Sequence, residues 1–180
     1  NSGYQIMKAF EAGWGGAVWK TLGVPIINVS SRYGSVNYRD SRMVGFNNIE
    51  LITDRPLKDN LKEIEEVKKY FPDHAVIASL MVESREQWHQ IVKDAENAGA
   101  DGLELNFGCP HGMCERGMGS AVGQEPEVLK MIVSWVKEVS TKPVIVKLTP
   151  NISDITEPGQ AARLGGGDAI SLINTIQSIV

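Results

Sequence analysis

The chain of 180 residues is 42% hydrophobic and 22% charged, a composition typical of a soluble globular protein with one buried core. Its formal net charge of −4, without a block of basic residues, argues against a nucleic-acid-binding surface. The apolar runs are too short to cross a bilayer, and from the opening residues we expect no signal peptide. Two cysteines make neither a disulfide framework nor the ligand set of an iron–sulfur cluster, so we expect a reducing cytoplasm. From the length we expect a single domain over residues 1–180.

Short apolar runs and amphipathic helices alternate along the chain. The runs have the length and composition of buried strands. The predicted strands are Ala17–Trp19, Ile26–Ile27, Ile49–Ile52, Ala75–Ala78, Leu103–Leu105, Val144–Val146 and Ala169–Ile173.

The helices between these strands carry recognisable start signals, such as the capping-box spacing of Ser84 and Gln87 and the proline at position 126. Glycine follows three of the helices, as expected where a helix ends and the chain turns back to the sheet. Four helices are predicted to begin near Tyr4, to span Leu57–Phe71, to follow Ser84 and to begin at Pro126. A fifth is capped by Ser153 or Asp154 and ends near Leu164.

Repeated β/α units of this kind predict a parallel sheet, either open or closed as a barrel. The chain has no G-x-G-x-x-G after a strand and no phosphate-loop motif, which disfavours an open nucleotide-binding sheet. The pattern therefore predicts an α/β fold of the (β/α)₈ TIM-barrel type. Because such a barrel usually needs roughly 250 residues, we expect an incomplete one.

Barrel enzymes place their chemistry at the carboxyl ends of the strands, and two lysines lie there. Lys20 and Lys147 each follow an apolar run. A lysine in that position neutralises an anion, such as a reduced flavin or a phosphate, or forms a Schiff base. The competing interpretation is that both are solvated lysines at the rim.

Three asparagines also lie at or beside strand ends. Asn106 and Asn174 follow strands, and Asn48 opens one and faces the same mouth from a loop. Each amide offers both a donor and an acceptor, as the alternating C=O and N–H groups of a pyrimidine require. Ordinary turn asparagines are the alternative.

Cys109 lies just past a strand, in a turn bracketed by glycine and proline. This place suits acid/base or nucleophilic work, but a buried structural cysteine has the same pattern. A metal site with His111 and Cys114 has no standard zinc spacing, and a Cys109–His111 pair need not face each other. The glycine-rich segment 116–120 has the place of a mobile lid.

Four acidic residues have positions that suggest structural roles. Glu50 and Glu104 interrupt apolar strands, so they are paired inside the barrel or point to its mouth. Asp101 and Asp168 precede strands at the opposite end of the barrel, where a role in stability is expected.

The stretch Glu104–Met113, together with Glu115–Gly119, strongly resembles dihydropyrimidine dehydrogenases, which belong with the dihydroorotate dehydrogenases, a family of FMN-binding barrels. The combination Cys-Pro-His-Gly-Met followed by Glu-Arg-Gly-Met-Gly is specific, because dihydroorotate enzymes typically have Asn after Cys-Pro. Further matches extend over essentially all of the chain. They are Ala9–Gly15, Lys20–Thr21, Asn28–Ser30, Asn48–Ile52, Lys147–Asn151 and Asn174–Thr175.

The resemblance implies a reaction and a set of roles. Hydride passes between the flavin N5 and the pyrimidine C6 of uracil or thymine, and Cys109 exchanges the proton at C5. Electrons reach the FMN from NAD(P)H through FAD and iron–sulfur clusters on other domains or a partner subunit, and we expect an oligomer. The FMN-contacting positions are Lys20, Thr21 and Lys147. The substrate-binding positions are Asn48, Asn106, Phe107, Gly108, Asn174 and Thr175, with Phe107 and Gly108 acting through their backbone.

The sequence departs from the family in several places. Gly108 stands where the family usually has Ser, which puts the tuning of Cys109 in doubt, and Cys114 replaces a usual glycine. The family's first strand and its last two β/α units, with their flavin-phosphate loops, are not matched. We therefore expect these 180 residues alone to bind FMN poorly and to expose the edges of their first and last strands.

Three other functions compete with this one. A dihydroorotate dehydrogenase has the same fold but acts on a substrate with a carboxylate. A non-catalytic barrel fragment would bind no flavin and turn nothing over. A Schiff-base lyase would use Lys147 or Lys20, although it leaves the cysteine motif without a purpose.

Overall fold

A computed structural model describes residues 2–23, 33–46, 52–109 and 118–176. Helices and strands alternate through most of these ranges. The elements are α1 (Gly3–Glu11), β1 (Gly16–Leu22), β2 (Tyr33–Tyr38), β3 (Ser41–Phe46), α2 (Leu57–Tyr70), β4 (Ala75–Leu80), α3 (Arg85–Asn97), β5 (Gly102–Asn106), α4 (Ser120–Gly123), α5 (Pro126–Lys137), β6 (Val144–Lys147), α6 (Thr156–Leu164) and β7 (Ala169–Ser171).

Five of the strands form one parallel sheet in the order β1-β4-β5-β6-β7. Along the chain, at least one helix lies between each strand of this sheet and the next strand of the same sheet, which is the β/α repeat that the sequence predicts. Among the described residues β1 and β7 are the edge strands, and Val18 and Ile170 on them are about half exposed, at 49% and 45%. The parallel α/β arrangement is as expected, and the unpaired outer edges stay a prediction.

The helix boundaries follow the local signals in the sequence. Ser84 Oγ accepts the backbone N–H of Gln87 at 3.3 Å, while Gln87 Oε1 accepts that of Ser84 at 3.0 Å, so the predicted capping box is present. Pro126 occupies the first turn of α5, and α6 ends at Leu164 as predicted. The expected cap of α6 at Ser153 or Asp154 is wrong by a residue, since the N-cap is Ile155 and has no side-chain bond, while Asp154 Oδ1 accepts the N–H of Thr156 at 2.8 Å from just outside the helix.

A repeated turn joins two of the helices to the sheet at the amino-terminal ends of the strands. In the first copy Gly99 has φ +95°, and a Cβ on it would lie 3.3 Å from the Lys68 side chain. Asp101 Oδ2 accepts both Lys68 Nζ, at 2.9 Å, and the backbone N–H of Val76, at 2.8 Å. The glycine therefore makes room for a lysine that holds an aspartate against the neighbouring strand.

The second copy has the same contacts. Gly166 has φ +93° beside Lys137, and Asp168 Oδ2 accepts Lys137 Nζ at 2.8 Å and the N–H of Val144 at 2.7 Å. Asp101 and Asp168 thus lie at the end of the sheet opposite the candidate site and tie adjacent units together, as the sequence suggests.

The two faces of the sheet differ in composition. The face toward the helices is apolar and forms the main core, where Trp88 and Ile64 are among the fully buried side chains. Trp19 on β1 also faces this core, and its indole N–H donates to Asn60 of α2 at 3.0 Å. The opposite face is more polar, and it provides the candidate site.

Three parts of the secondary structure differ from the sequence prediction. The sequence did not predict the antiparallel hairpin β2–β3. Glycine, serine and asparagine interrupt its apolar pattern, and its strands are defined by their mutual hydrogen bonds. β7 ends at Ser171 rather than Ile173, since its partner β6 ends at Lys147, which pairs with Ser171. The short helix α4 is also absent from the prediction.

The predicted strand Ile26–Ile27 lies outside the described residues, as does Ile49–Ile52 except for its last residue. Ile52 itself is not in a strand, and it packs in a small buried cluster described below. None of the helices in the described ranges is long and apolar enough to cross a membrane.

Candidate active site

The more polar face of the sheet is concave, and its side chains come from alternate positions of neighbouring strands. Ser79 pairs in register with Glu104, and Asn106 pairs with Lys147, which pairs with Ser171. Residues in register on parallel strands point to the same side, so one face collects them all. By alternation with Trp19, Lys20 joins this face from β1.

Side chains from strands that are not neighbours touch across the concave face. Ser171 Oγ on β7 donates to Glu104 Oε2 on β5 at 3.0 Å, over the intervening β6. Strands two apart in a flat sheet lie about 9.5 Å from each other, so this contact requires strong curvature. Glu104 is only 6% exposed, which places this carboxylate inside the curve rather than at its mouth. Glu50 lies outside the described residues.

A bulge in β1 brings Thr21 onto the concave face. Trp19 pairs with Ala78 and Leu22 pairs with Leu80, so β1 advances three residues over the stretch that β4 covers with two. Such an extra residue reorients the side chains around it. Thr21 Oγ1 consequently lies 2.9 Å from Ser79 Oγ, although strict alternation would send it toward the helices.

Asn106, the last residue of β5, is the centre of the site. Its Nδ2 donates to Thr21 Oγ1 at 3.0 Å. Its Oδ1 accepts the backbone N–H of Gly108 at 3.2 Å and Nδ2 of Asn174 at 3.3 Å. A backbone N–H can only donate, so the contact with Gly108 fixes which end of the amide is oxygen.

Asn174 is oriented in the same way by the residue that follows it. Its Oδ1 accepts the backbone N–H of Thr175 at 2.7 Å and the Thr175 hydroxyl at 3.2 Å. Asn151, from the loop after β6, donates to the Thr175 carbonyl at 3.0 Å and ties the two loops together.

Both amides therefore present the same polarity to a ligand. Each oxygen of Asn106 and Asn174 already accepts two hydrogen bonds within the described residues. Each Nδ2 retains one hydrogen that forms no bond within that part of the chain. The site thus offers N–H donors, which suit ligand carbonyl oxygens.

Cys109 is 3% exposed and packs in a small cluster with Ile52, Met81 and Met118. Its carbonyl accepts the N–H of Ser120 at 3.0 Å, where the chain returns at the start of α4. Gly119 has φ +60°, and a Cβ there would lie 2.5 Å from the Cys109 carbonyl, so only glycine allows the return to pass this close. The thiol is shielded from water, three residues past Asn106.

Most predicted site residues in the described ranges come together around Asn106. The Phe107 ring faces the core against Trp88, with centroids 6.1 Å apart, while its backbone N–H donates to the Lys147 carbonyl at 3.1 Å. The Phe107 side chain thus belongs to the core, its backbone N–H bonds the neighbouring strand, and a substrate contact through its backbone stays a prediction. Lys20 and Lys147 are half-buried on the concave face. Three predicted participants lie outside the described residues, namely Asn48, His111 and Cys114.

Sequence reasoning missed Ser79, Ser171 and Asn151 as parts of this constellation. Ser79 had a detectable signal, because it is a polar residue inside the otherwise apolar run of β4. No group of three or more His, Cys, Asp or Glu side chains among the described residues is arranged to hold a metal ion.

The five-stranded parallel β/α sheet, with polar side chains at the carboxyl ends of its strands, has the arrangement of part of a barrel enzyme. Residues 42–180 match the family model described as dihydroorotate dehydrogenase. The chain belongs to the dihydroorotate dehydrogenase family, and the expected α/β barrel class is thereby confirmed.

Relatives within this family are similar to the chain over nearly its whole length. A chloroplastic dihydropyrimidine dehydrogenase (NADP(+)) of Arabidopsis thaliana is 44% identical over 98% of this chain and 44% of its own length. The NAD-dependent dihydropyrimidine dehydrogenase subunit PreA of Escherichia coli K12 is 44% identical over 96% of this chain and 42% of its own. The chain thus spans less than half the length of these two relatives.

More distant comparisons agree on the fold. The catalytic subunit of dihydroorotate dehydrogenase B (NAD(+)) of Thermococcus kodakarensis is 35% identical over 97% of this chain and 54% of its own length. Among solved structures, the carboxyl transferase domain of Rhizobium etli pyruvate carboxylase with 3-bromopyruvate has a TM-score of 0.50 at 11% identity. It covers 66% of this chain and 19% of that one, and the likeness concerns the fold alone.

Proposed function

We propose that this chain carries the substrate end of a flavin-dependent oxidoreductase that interconverts uracil or thymine and their 5,6-dihydro forms. The observation that carries the proposal is the fixed pair of amides, Asn106 and Asn174, which presents N–H donors beside the loop of Cys109. A pyrimidine-2,4-dione has two ring carbonyls that accept such bonds. The names of the two relatives at 44% identity support the same substrate class.

The concave face fits a flavin. Lys20, Thr21 and Lys147 would hold FMN, because two cationic side chains on a half-buried polar face suit an anionic reduced ring. When bound, FMN supplies the hydride-transfer chemistry. The residues of this chain align the pyrimidine and exclude water from its face.

Cys109 would exchange the proton at C5 of the pyrimidine. It follows Asn106 by three residues, and its side chain is buried with methionine and isoleucine, so the proton passes without competition from bulk water. Phe107 and Gly108 would contribute backbone groups, Thr175 would hold Asn174, and Asn48 would complete the amide set.

Electrons would come from NAD(P)H through FAD and iron–sulfur clusters on further domains or a partner subunit. The word "subunit" in the name of the Escherichia coli relative supports a separate electron-delivering partner. A cytoplasmic oligomer is part of the same proposal.

Dihydroorotate dehydrogenase is the second candidate. The family match and the 35% identity to the Thermococcus kodakarensis subunit favour it, whereas the higher identity to dihydropyrimidine dehydrogenases favours the first. Dihydroorotate bears a carboxylate that dihydrouracil lacks, so the two substrates separate the candidates.

The test is anaerobic reduction of the enzyme-bound flavin by 5,6-dihydrouracil in the natural holoenzyme. We expect dihydrouracil to bleach the oxidised flavin band, and Cys109→Ala to slow the bleaching by about 10²–10⁴-fold, the usual contribution of an acid/base group. Cys114→Ala, at the only other cysteine of the chain, is the matched control and should leave the rate unchanged. A flavin that responds only to dihydroorotate would give the function to the second candidate, and absence of flavin would refute both.

A further inference from the structure

Ser79 is a buried hydroxyl on the concave face that no role above accounts for. It lies on β4 between the apolar neighbours Ala78 and Leu80, and it is 3% exposed. Its Oγ is 2.9 Å from Thr21 Oγ1, and Thr21 in turn accepts Nδ2 of Asn106 at 3.0 Å. The three side chains come from three adjacent strands in the order β1-β4-β5, so the contacts tie them together.

One direction in this chain of hydrogen bonds is fixed by the Asn106 amide. Gly108 fixes that amide with Nδ2 toward Thr21, so Thr21 Oγ1 is an acceptor in that contact. Between Thr21 and Ser79 either hydroxyl can be the donor, since each has one proton and each oxygen can accept. In both directions the contact ties the Ser79 hydroxyl to the threonine that meets Asn106.

The hydroxyl of Ser79 holds Oγ1 of Thr21 in the rotamer that meets Asn106. A threonine without this contact has other staggered rotamers open to it.

We propose that Ser79 is a positioning residue: its hydroxyl orients Thr21 and, through Thr21, the amide of Asn106 that binds the pyrimidine. The inference rests on the function proposed above and names a residue that acts through others, without touching the substrate. It sets substrate affinity rather than the chemical step.

The test compares Ser79→Thr with Ser79→Val in the natural holoenzyme, because the two replacements have the same shape and only threonine keeps the hydroxyl. The dissociation constant of uracil is measured from its perturbation of the flavin spectrum, together with flavin content, kcat and KM. We expect the valine variant to bind uracil about tenfold more weakly, the loss of about 1.4 kcal/mol, with kcat and flavin content near wild type. The threonine variant should bind uracil as the wild type does.

Ser140→Ala is the matched control, since this serine also loses side-chain hydrogen bonds, to Glu96 and Lys142, but lies before the amino-terminal end of β6. If the added methyl group prevents folding of both variants, Ser79→Ala replaces the valine variant in the same measurements.

Wild-type affinity in the variant without the hydroxyl would overturn the inference. So would an equal loss in the threonine and valine variants, which would trace the effect to size. Loss of flavin instead of uracil affinity would overturn it as well, by assigning Ser79 to the cofactor. If uracil changes the flavin spectrum of neither the wild type nor Ser140→Ala, the proposed function itself fails, and that outcome is distinct from the others.

Discussion

Gly108 and Asn174 lie so close together that the absence of a side chain at Gly108 has a structural purpose. A Cβ on Gly108 would lie 2.6 Å from Cβ of Asn174 and 3.0 Å from its Nδ2. The missing side chain therefore allows Asn174 to reach Oδ1 of Asn106. The effect of this glycine on Cys109, which the resemblance suggested, stays a prediction, while the contacts of Gly108 in the structure are with the two amides.

We expect Gly108→Ala to displace Asn174 and to break its hydrogen bond with Asn106. The Michaelis constant for the pyrimidine should rise by about tenfold, as for the loss of one hydrogen bond worth about 1.4 kcal/mol. Gly15→Ala is the control, because a Cβ at Gly15 meets nothing within 4 Å. An unchanged Michaelis constant in the Gly108 variant would show that the site does not depend on this close approach.

At the scale of the elements, the repeated Lys–Asp turn joins two of the helices to the next strand of the sheet. Lys68 with Asp101 and Lys137 with Asp168 occupy equivalent places in two successive parts of the chain. Each aspartate side chain also accepts a hydrogen bond from a backbone N–H of the neighbouring strand. A surface ion pair without such a bond contributes little to stability. The repeat therefore acts on stability, at the end of the sheet away from the candidate site.

We predict that Asp101→Ala lowers the free energy of unfolding by about 1 kcal/mol, because the N–H of Val76 loses its side-chain acceptor. Asp168→Ala should act alike through Val144. Urea unfolding followed by circular dichroism measures both changes. Asp94→Ala, which removes only an exposed bond from Gln90, is the comparison, and an equally large effect there would contradict the assigned role.

At the scale of the whole molecule, carboxylates clamp distant parts of the chain. Glu63 on α2 accepts both guanidinium nitrogens of Arg55, at 2.8 and 2.6 Å, and the N–H of Gly3 at 2.7 Å. These bonds, with that from Arg55 the largest cause, lower the pKa of Glu63. The side-chain bond from Lys137 and the backbone N–H of Val144 likewise lower the pKa of Asp168.

A carboxyl whose pKa is lower in the folded state stabilises the protein above its unfolded pKa, and this stabilisation is lost as the pH falls through the folded pKa. We therefore expect the urea midpoint to fall as the pH is lowered below about 4.5. Glu63→Gln should flatten this acid dependence, while the exposed Glu65→Gln on the same helix should not. If the urea midpoint of the Glu63 variant falls with pH as steeply as that of the wild type, the role assigned to Glu63 is contradicted.

Much of the fold was predictable from short stretches of sequence, because its signals act between near neighbours. The capping box of Ser84 and Gln87, the proline at position 126 and the left-handed glycines at 99 and 166 are each decided within a turn or two of chain. The same holds for the place of Asn106 at a strand end followed closely by Cys109. The hairpin β2–β3 escaped prediction, since its strands depend on each other rather than on a buried face.

The sequence by itself determined the β/α repeat, the helix boundaries and the residues at the carboxyl ends of the strands. The tertiary structure decided which of those residues meet. Thr21 contacts Ser79, 58 positions away, and Asn106, 85 positions away, only because a bulge in β1 turns it onto the concave face. A register shift of one residue reverses the side to which a side chain points, and it is set by pairing with a distant strand that no local pattern encodes.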